Sequence, residues 1–355
     1  MALSYANMTT QVLQTLRDTG ATTYTATITD YAVKAELKRL SQYEPYLIDV
    51  MYKIESRSGT DTAGTADKLT DTTESQFLAA DSTNVKVVHN TTDDTWATVT
   101  GYTSTSVLSL SANIMANGEN YEIYNKRCRN KKQIYVGDMP PILWIESVEY
   151  PVGTERNFKY ISQDIIELDV LDSTIQDSDS TLSSLGEVFV LVKFAIPQVL
   201  CKLTDLAGAL TAGAAADVTS IAVGSLSGTE TIEVGELFTL AGKAWTYVVT
   251  ASVTLSGGAG TVSFYPGLEA AASNTDVVTF EKSSLRPRHE DLLERMICSR
   301  AVQGEQMNYT TSMGSVLSNF QRWITGNPSF VPSAIERDLR ALVRKRASQN
   351  HPDRQ

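Results

Sequence analysis

The sequence predicts an α+β fold: a helical core with a small antiparallel sheet, two inserted all-β modules of barrel or sandwich type, and a basic C-terminal helix. Three features of the 355 residues lead to this reading. Apolar side chains recur at helical spacing near both ends of the chain. Two stretches, 56–125 and 207–281, carry short apolar clusters divided by Ser, Thr, Gly and Asn turns. Charged residues make up only 20% of the chain, which suits surface hairpins better than solvated helices. The segment between these stretches alternates apolar and polar residues as strands do. The expected domains are a core of 1–55, 126–206 and 282–330, modules at 56–125 and 207–281, and an arm at 331–355.

In chain order, Val12, Leu13 and Leu16 share one side of a short helix over 9–18 with Thr9 or Thr10 as cap. Val33, Leu37 and Leu40 lie at i, i+4 and i+7 of a second over 30–43, capped by Asp30 and ended by Pro45. A strand is expected from Tyr46 to Ile54, then a loop without apolar period to about Glu74. Clusters at Val85–Val88, Trp96–Val99, Val107–Leu110 and Tyr121–Tyr124 read as two hairpins. Residues 207–281 repeat that texture, again with a single Trp, so the modules are expected to be alike. Between them Ile142, Trp144 and Val148 are spaced for the buried face of a host sheet of three or four strands. Pro287 opens a helix with Leu292, Leu293, Met296 and Ile297 on its apolar stripe. A further helical stretch is expected at Thr311–Trp323. Ser333 then caps a last helix in which Ile335, Leu339 and Leu342 or Val343 face one way.

Cys128, Cys201 and Cys298 are far apart and odd in number, so no disulfide framework or zinc site follows. The apolar run Val188–Leu200 is broken by Lys193 and Pro197 and falls short of the ~20 residues a membrane helix needs. The N-terminus lacks a basic region followed by an apolar core, so no signal peptide or membrane partner is expected, and synthesis is placed in the cytoplasm. The net charge of −11 is unevenly spread: residues 133–283 hold 6 Lys and Arg against 19 Asp and Glu, whereas 284–355 hold 11 against 7. An acidic middle repels a phosphate backbone and argues against tight DNA binding over a broad face, while the basic tail suits an acidic partner.

No catalytic residue, cofactor or metal site is assigned. His89, His289 and His351 stand apart from one another and from Cys, and no nucleophile-elbow, HExxH or P-loop pattern occurs. The GGAG at 257–260 precedes no helix start and reads as a hairpin turn. Glu167 and Asp169 share a strand face as a hydrolytic carboxylate pair would, and a solvated strand explains the same letters. Trp96, Trp144 and Trp245 could be sugar platforms, but one Trp per module is more simply a core plug. Two basic clusters remain. Lys126, Arg127, Arg129, Lys131 and Lys132 form either a solvated junction or a contact for an acidic partner or nucleic acid. Arg337, Arg340, Arg344, Lys345 and Arg346 make the last helix a basic amphipathic docking arm, although a basic last turn also complements the helix dipole.

The link DTGATTY (Asp18–Tyr24), KAELKRLSQY (Lys34–Tyr43), IESVEYPVG (Ile145–Gly153), RPRHEDLL (Arg286–Leu293) and ERDLRALVRKR (Glu336–Arg346) together resemble the head-to-tail adaptor (connector, head-completion) proteins of tailed bacteriophages. The run Asn90–Ser111 is similar to a β module of phage structural proteins. The resemblance implies a non-enzymatic virion protein of the neck, assembled in the bacterial host cytoplasm. It implies a homo-oligomeric ring, commonly of twelve copies, below the portal protein, extending the channel through which DNA passes unbound. A tail-side stopper, terminator or other tail component would be the further partner. Ile335, Arg337, Leu339, Arg340, Leu342, Val343, Arg344, Lys345 and Arg346 would dock the portal, through an arm short of partners in its own chain. Two other readings stand beside it: a tail or receptor-binding β protein with glycan-binding inserts, and a hydrolase using Glu167 and Asp169.

Overall fold

The computed structural model describes residues 4–55, 57–139, 142–172, 175, 189–216, 218–308, 329 and 332–349, with side chains described except at 303–308 and 343–349. The expected helix at Thr311–Trp323 lies outside the described residues. The chain is predominantly β. Among the described residues the α-helices are five, α1 (Tyr5–Thr15), α2 (Ala26–Ser41), α3 (Ala80–Thr83), α4 (Glu290–Asn308) and α5 (Pro332–Gln349). A helical core with a small sheet is therefore incorrect. Long helical periods stand out in a sequence, yet most of the buried apolar residues among those described belong to strands of two to ten residues, whose alternation is legible only locally.

The centre is a two-sheet body. β1 (Tyr46–Lys53) pairs with β12 (Phe189–Ile196), which pairs with β9 (Trp144–Glu149), all antiparallel. A second sheet runs β10 (Phe158–Ser162), β11 (Ile165–Leu168), β8 (Gln133–Tyr135). Val50, Tyr52, Val192 and Phe194 of the first share one core with Ile134, Ile166 and Leu168 of the second. A register shift between Lys193 and Phe194 moves the buried face of β9 to Ile145 and Val148, leaving Trp144 half-buried where simple alternation placed it inside.

The helices form a separate layer around Met8, Val12, Val33, Leu40, Leu293, Met296, Ile297, Ile335 and Leu339. Ser4 caps α1 by accepting from the Asn7 amide, so the helix starts before the expected cap at Thr9 or Thr10. Asp18 accepts from the amides of Thr22, Thr23 and Tyr24 and folds the link. α2 then starts after Thr25, so Asp30 is not its cap; Asp30 receives the Tyr5 hydroxyl instead.

Two β modules flank this body. The first joins β2 (Ser58–Thr60), β7 (Asn120–Tyr124), β4 (Val87–Asn90), β5 (Thr95–Ser104), β6 (Val107–Leu110) and β3 (Lys68–Thr70) in that order. β2 and β3 fall in the stretch expected to be a bare loop, where Leu69 is fully buried. The second is a closed barrel of β13 (Ala207–Leu210), β14 (Ser220–Gly224), β19 (Gly260–Tyr265), β17 (Thr246–Val249), β16 (Leu237–Leu240) and β20 (Val277–Phe280). A two-stranded ribbon, β15 (Thr231–Ile232) with β18 (Val253–Thr254), hangs from it. Alternation aims Phe238, Tyr247, Phe264 and Phe280 inward, and aims Leu237 and Val248 outward into the central core. Trp96 and Trp245 are half-buried, so neither is a core plug; Phe77 and Tyr121 in the first module and the four aromatics in the second fill that role.

Candidate docking surfaces

The last helix is not free of its own chain over its first half. Ile335 and Leu339 are 2% and 0% exposed within the helical layer, and Leu342 packs against it. Glu336 bonds Arg39 at 2.7 Å and receives the Tyr43 hydroxyl, while Asp338 pairs with Arg295 at 2.9 Å. An apolar stripe with complementary charge nearby is satisfied intramolecularly, which corrects the expectation of an arm without partners. Ile335 and Leu339 are thus core residues. Arg337 and Arg340 remain exposed, Arg340 with Glu336 at 3.2 Å one turn back. The side chains of Val343, Arg344, Lys345 and Arg346 lie outside the described residues, although the helix continues through them.

Four of the five segments that carry the resemblance border this layer, and Ile145–Gly153 lies instead in the central sheet. Glu44, just past α2, takes ion pairs from Arg286 at 3.7 Å and Arg288 at 3.1 Å; the Thr15 hydroxyl of α1 reaches Glu294 of α4. The link at 18–24, the end of α2, the start of α4 and the start of α5 belong to one layer.

The basic cluster after the first module is largely neutralised by nearby carboxylates. Lys126 pairs with Asp138 at 2.8 Å and sits over the Tyr135 ring, Arg127 reaches Asp164 at 3.4 Å, and Lys132 pairs with Asp172 at 2.9 Å. Arg129 lies over Trp96 at 5.2 Å, and His89 stacks on that indole at 3.9 Å between ring centroids. Lys131 contributes only longer-range charge, toward Asp172. These contacts stitch the cluster to neighbouring carboxylates and rings, while Arg127 and Arg129 stay exposed.

No catalytic constellation forms among the described residues. Partial burial works to raise the Glu167 carboxyl, but hydrogen bonds from Lys159, Gln133 and Asn130 outweigh it and hold the group at about 2. An acid catalyst needs the opposite shift. His289 is buried beside Arg288, and His351 lies outside the described residues. No group of three or more His, Cys, Asp or Glu among the described residues could hold a metal ion, and no described helix is long and apolar enough to cross a membrane.

Three features had no clear sequence signal. Arg57, buried at the entry to the first module, binds Glu55 at 2.8 Å and Asp81 at 2.6 Å, and Lys86 closes on Glu55 at 3.0 Å. Burial works to raise Glu55, yet the charges of Lys86 and Arg57 hold it far below the ordinary carboxylate range. Glu236, buried at the foot of the barrel against the Cys201 thiol at 3.2 Å, is pushed up to about 7 by burial. Finally, a cleft of about 540 Å³ opens between the modules, floored by Tyr135 and Phe189 and walled by Leu78 and Asn84 on one side and Trp245 and Pro266 on the other. The chain matches no known protein family, no curated protein and no solved structure.

Proposed function

We propose that the protein is a structural component of a tailed-phage virion, a head-to-tail adaptor whose copies form a ring below the portal, extend the DNA channel and join capsid to tail. The observation that carries this reading is convergence. Four of the five motif segments border one helical layer, in which Arg39 pairs with Glu336 and Arg286 and Arg288 pair with Glu44, while the fifth, Ile145–Gly153, lies in the central sheet. The two β modules project from a separate central body and suit contacts with other neck or tail parts. The acidic stretch 133–283 suits a conduit that lets DNA pass without gripping phosphate. Because the first half of α5 is built into the layer, portal contact falls to its exposed arginines and basic second half.

The test mixes the purified chain with portal rings of its own phage and measures the mass of the product. A second arm uses the triple variant Arg344→Glu, Lys345→Glu, Arg346→Glu, which spares the buried Ile335 and Leu339. Ring-sized stoichiometric uptake by the native chain and its loss in the variant are expected. No uptake by either chain overturns the reading in favour of a tail or receptor-binding component.

A further inference from the structure

Trp245 stands out in the sequence yet plugs no core, and the 540 Å³ cleft between the modules shows what surrounds it. Phe189 of the floor and Trp245 of the wall meet edge to face, 6.5 Å apart between ring centroids at 76°. Both rings are half-buried and both line the cleft. The third ring, Tyr135, is less open, since Lys126 lies over it at 4.9 Å and Arg127 at 5.6 Å. Tyr52 lines the same cleft from β1, is 4% exposed, and its hydroxyl meets no hydrogen-bond partner. Its neighbour Tyr265, 5.5 Å away between centroids, brings a second hydroxyl to the cleft. Burial foremost, and the charge of Asp138 with it, pushes both phenols above their ordinary value, so both keep their protons. At most one of the two protons can be spent between the pair, and the other needs an acceptor from outside.

The charges around the cleft cancel. Arg57 holds Glu55 at 2.8 Å and Asp81 at 2.6 Å, Lys86 closes on Glu55 at 3.0 Å, and Lys126 pairs with Asp138 at 2.8 Å. Lys53 and Glu269, both exposed, complete a set of four cations and four carboxylates, and Glu269 already spends one oxygen on the Ala244 amide. An ionic ligand meets as much repulsion as attraction here, and a wholly apolar one would strip these groups of water. A neutral molecule with a flat apolar face and a rim of hydroxyls suits both the rings and the paired polar groups. The volume falls in the range of about 300–1,000 Å³ usual for small-molecule sites, which favour junctions between domains.

We propose that this cleft is a carbohydrate-binding site, taking a neutral oligosaccharide whose apolar ring face lies on Trp245 and Phe189 and whose hydroxyls meet Tyr52, Tyr265, Asn84 and Glu269. The site adds a second binding function to the adaptor reading and does not rest on it.

The full chain is screened on an array of neutral, sialylated and sulfated oligosaccharides, and the best neutral binder is measured by calorimetry. Preference for neutral glycans, with affinity little changed by salt, is expected. Tyr52→Phe removes a hydroxyl without a partner at home, so its melting profile should stay native while affinity falls about fivefold. Trp245→Ala is expected to weaken binding about tenfold or more, and Trp245→Phe, which keeps a ring at the wall, to recover part of it. Trp96→Ala, in a separate hollow of the first module, should keep native affinity. Failure of every neutral glycan on the array to bind, preference for the anionic glycans, or native affinity in both Tyr52→Phe and Trp245→Ala overturns the site. The cleft shares no residue with α5, so portal uptake of Tyr52→Phe is expected to match that of the native chain. Glycan binding by a chain that portal rings do not take up supports the site and sinks the adaptor reading.

Discussion

The two β modules have the same strand order and different fastenings. Counted within each module, six strands follow the cyclic order 1-6-3-4-5-2; the barrel closes it with a ladder between β13 and β14, and the first module lacks the equivalent ladder between β2 and β3. The barrel is seated by apolar side chains, Leu237 and Val248, that leave its wall and enter the central core. The first module is seated by charge, the lattice of Glu55, Arg57, Asp81 and Lys86 at its entry strand. One topology can thus be attached to one host body by either kind of interaction, and the two should fail under different stresses.

The largest effect is expected at Arg57. Arg57→Ala takes the guanidinium away from the buried Glu55 and Asp81 carboxylates, which costs about 3–5 kcal/mol. Denaturant melts should show the first module losing structure before the barrel. Equal loss in both modules would mean that the lattice serves the whole chain. Leu237→Ala is expected to cost about 3 kcal/mol through a cavity shared by barrel and central core. Here a single merged transition at lower denaturant is the expected readout, since two cores lose packing together.

The junctions should also respond oppositely to pH. Glu55 has a lowered folded pKa, so its contribution is present above the ordinary carboxylate value and is lost only in strong acid. Glu236 has a folded value of about 7 against an ordinary 4.5, so its contribution is complete below about 4.5 and disappears as pH rises through 7. The full difference is on the order of 3 kcal/mol, less whatever solvent reaches the foot of the barrel. Glu236→Gln is therefore expected to raise stability by about 2 kcal/mol at pH 8, to leave it nearly unchanged at pH 4, and to flatten the stability profile between. Melting temperature against pH for both chains checks this, and an unchanged slope in the variant would exclude Glu236 as its source.

Legibility from sequence followed the range of the interaction. The helix from Pro287, with Leu292, Leu293, Met296 and Ile297 buried, was readable because its stripe is local. The likeness of the two modules showed in their texture, since turns and apolar clusters repeat within a few residues. The weight of β-structure did not show, because β2, β3, β8 and β10 are short and gain meaning only from partners far along the chain. The same holds for surfaces. Lys126, Arg127 and Lys132 stood out as a basic cluster, while Asp138, Asp164 and Asp172, which neutralise them, are placed by the folding of β8 and β11. Ile335 and Leu339 gave an amphipathic pattern that docking to a partner and packing at home produce equally.

The smallest effect probes the missing ladder itself. Between β2 and β3 the first module has one backbone bond, from the Thr62 amide to the Thr70 carbonyl at 2.7 Å, and the buried Asp61 carboxylate, which accepts from Thr70, Ala63 and Gly64 amides. Where the barrel uses strand pairing, this module uses one side chain as a substitute acceptor for three amides. Asp61→Ala removes that acceptor and leaves the buried Thr70 amide unsatisfied, at a cost of about 2 kcal/mol, while the exposed Ala63 and Gly64 amides turn to water. Because β2 is tied to β7 and β3 to β6 by their own ladders, the loss should remain local. Amide exchange at Thr70, Ala63 and Gly64 is expected to speed up while β4 and β5 keep their protection. Asp61→Asn, which retains one acceptor oxygen, should restore part of it. If exchange instead rises across all six strands, the open edge is a keystone of the module, and the two modules differ in cooperativity as well as in how they are seated.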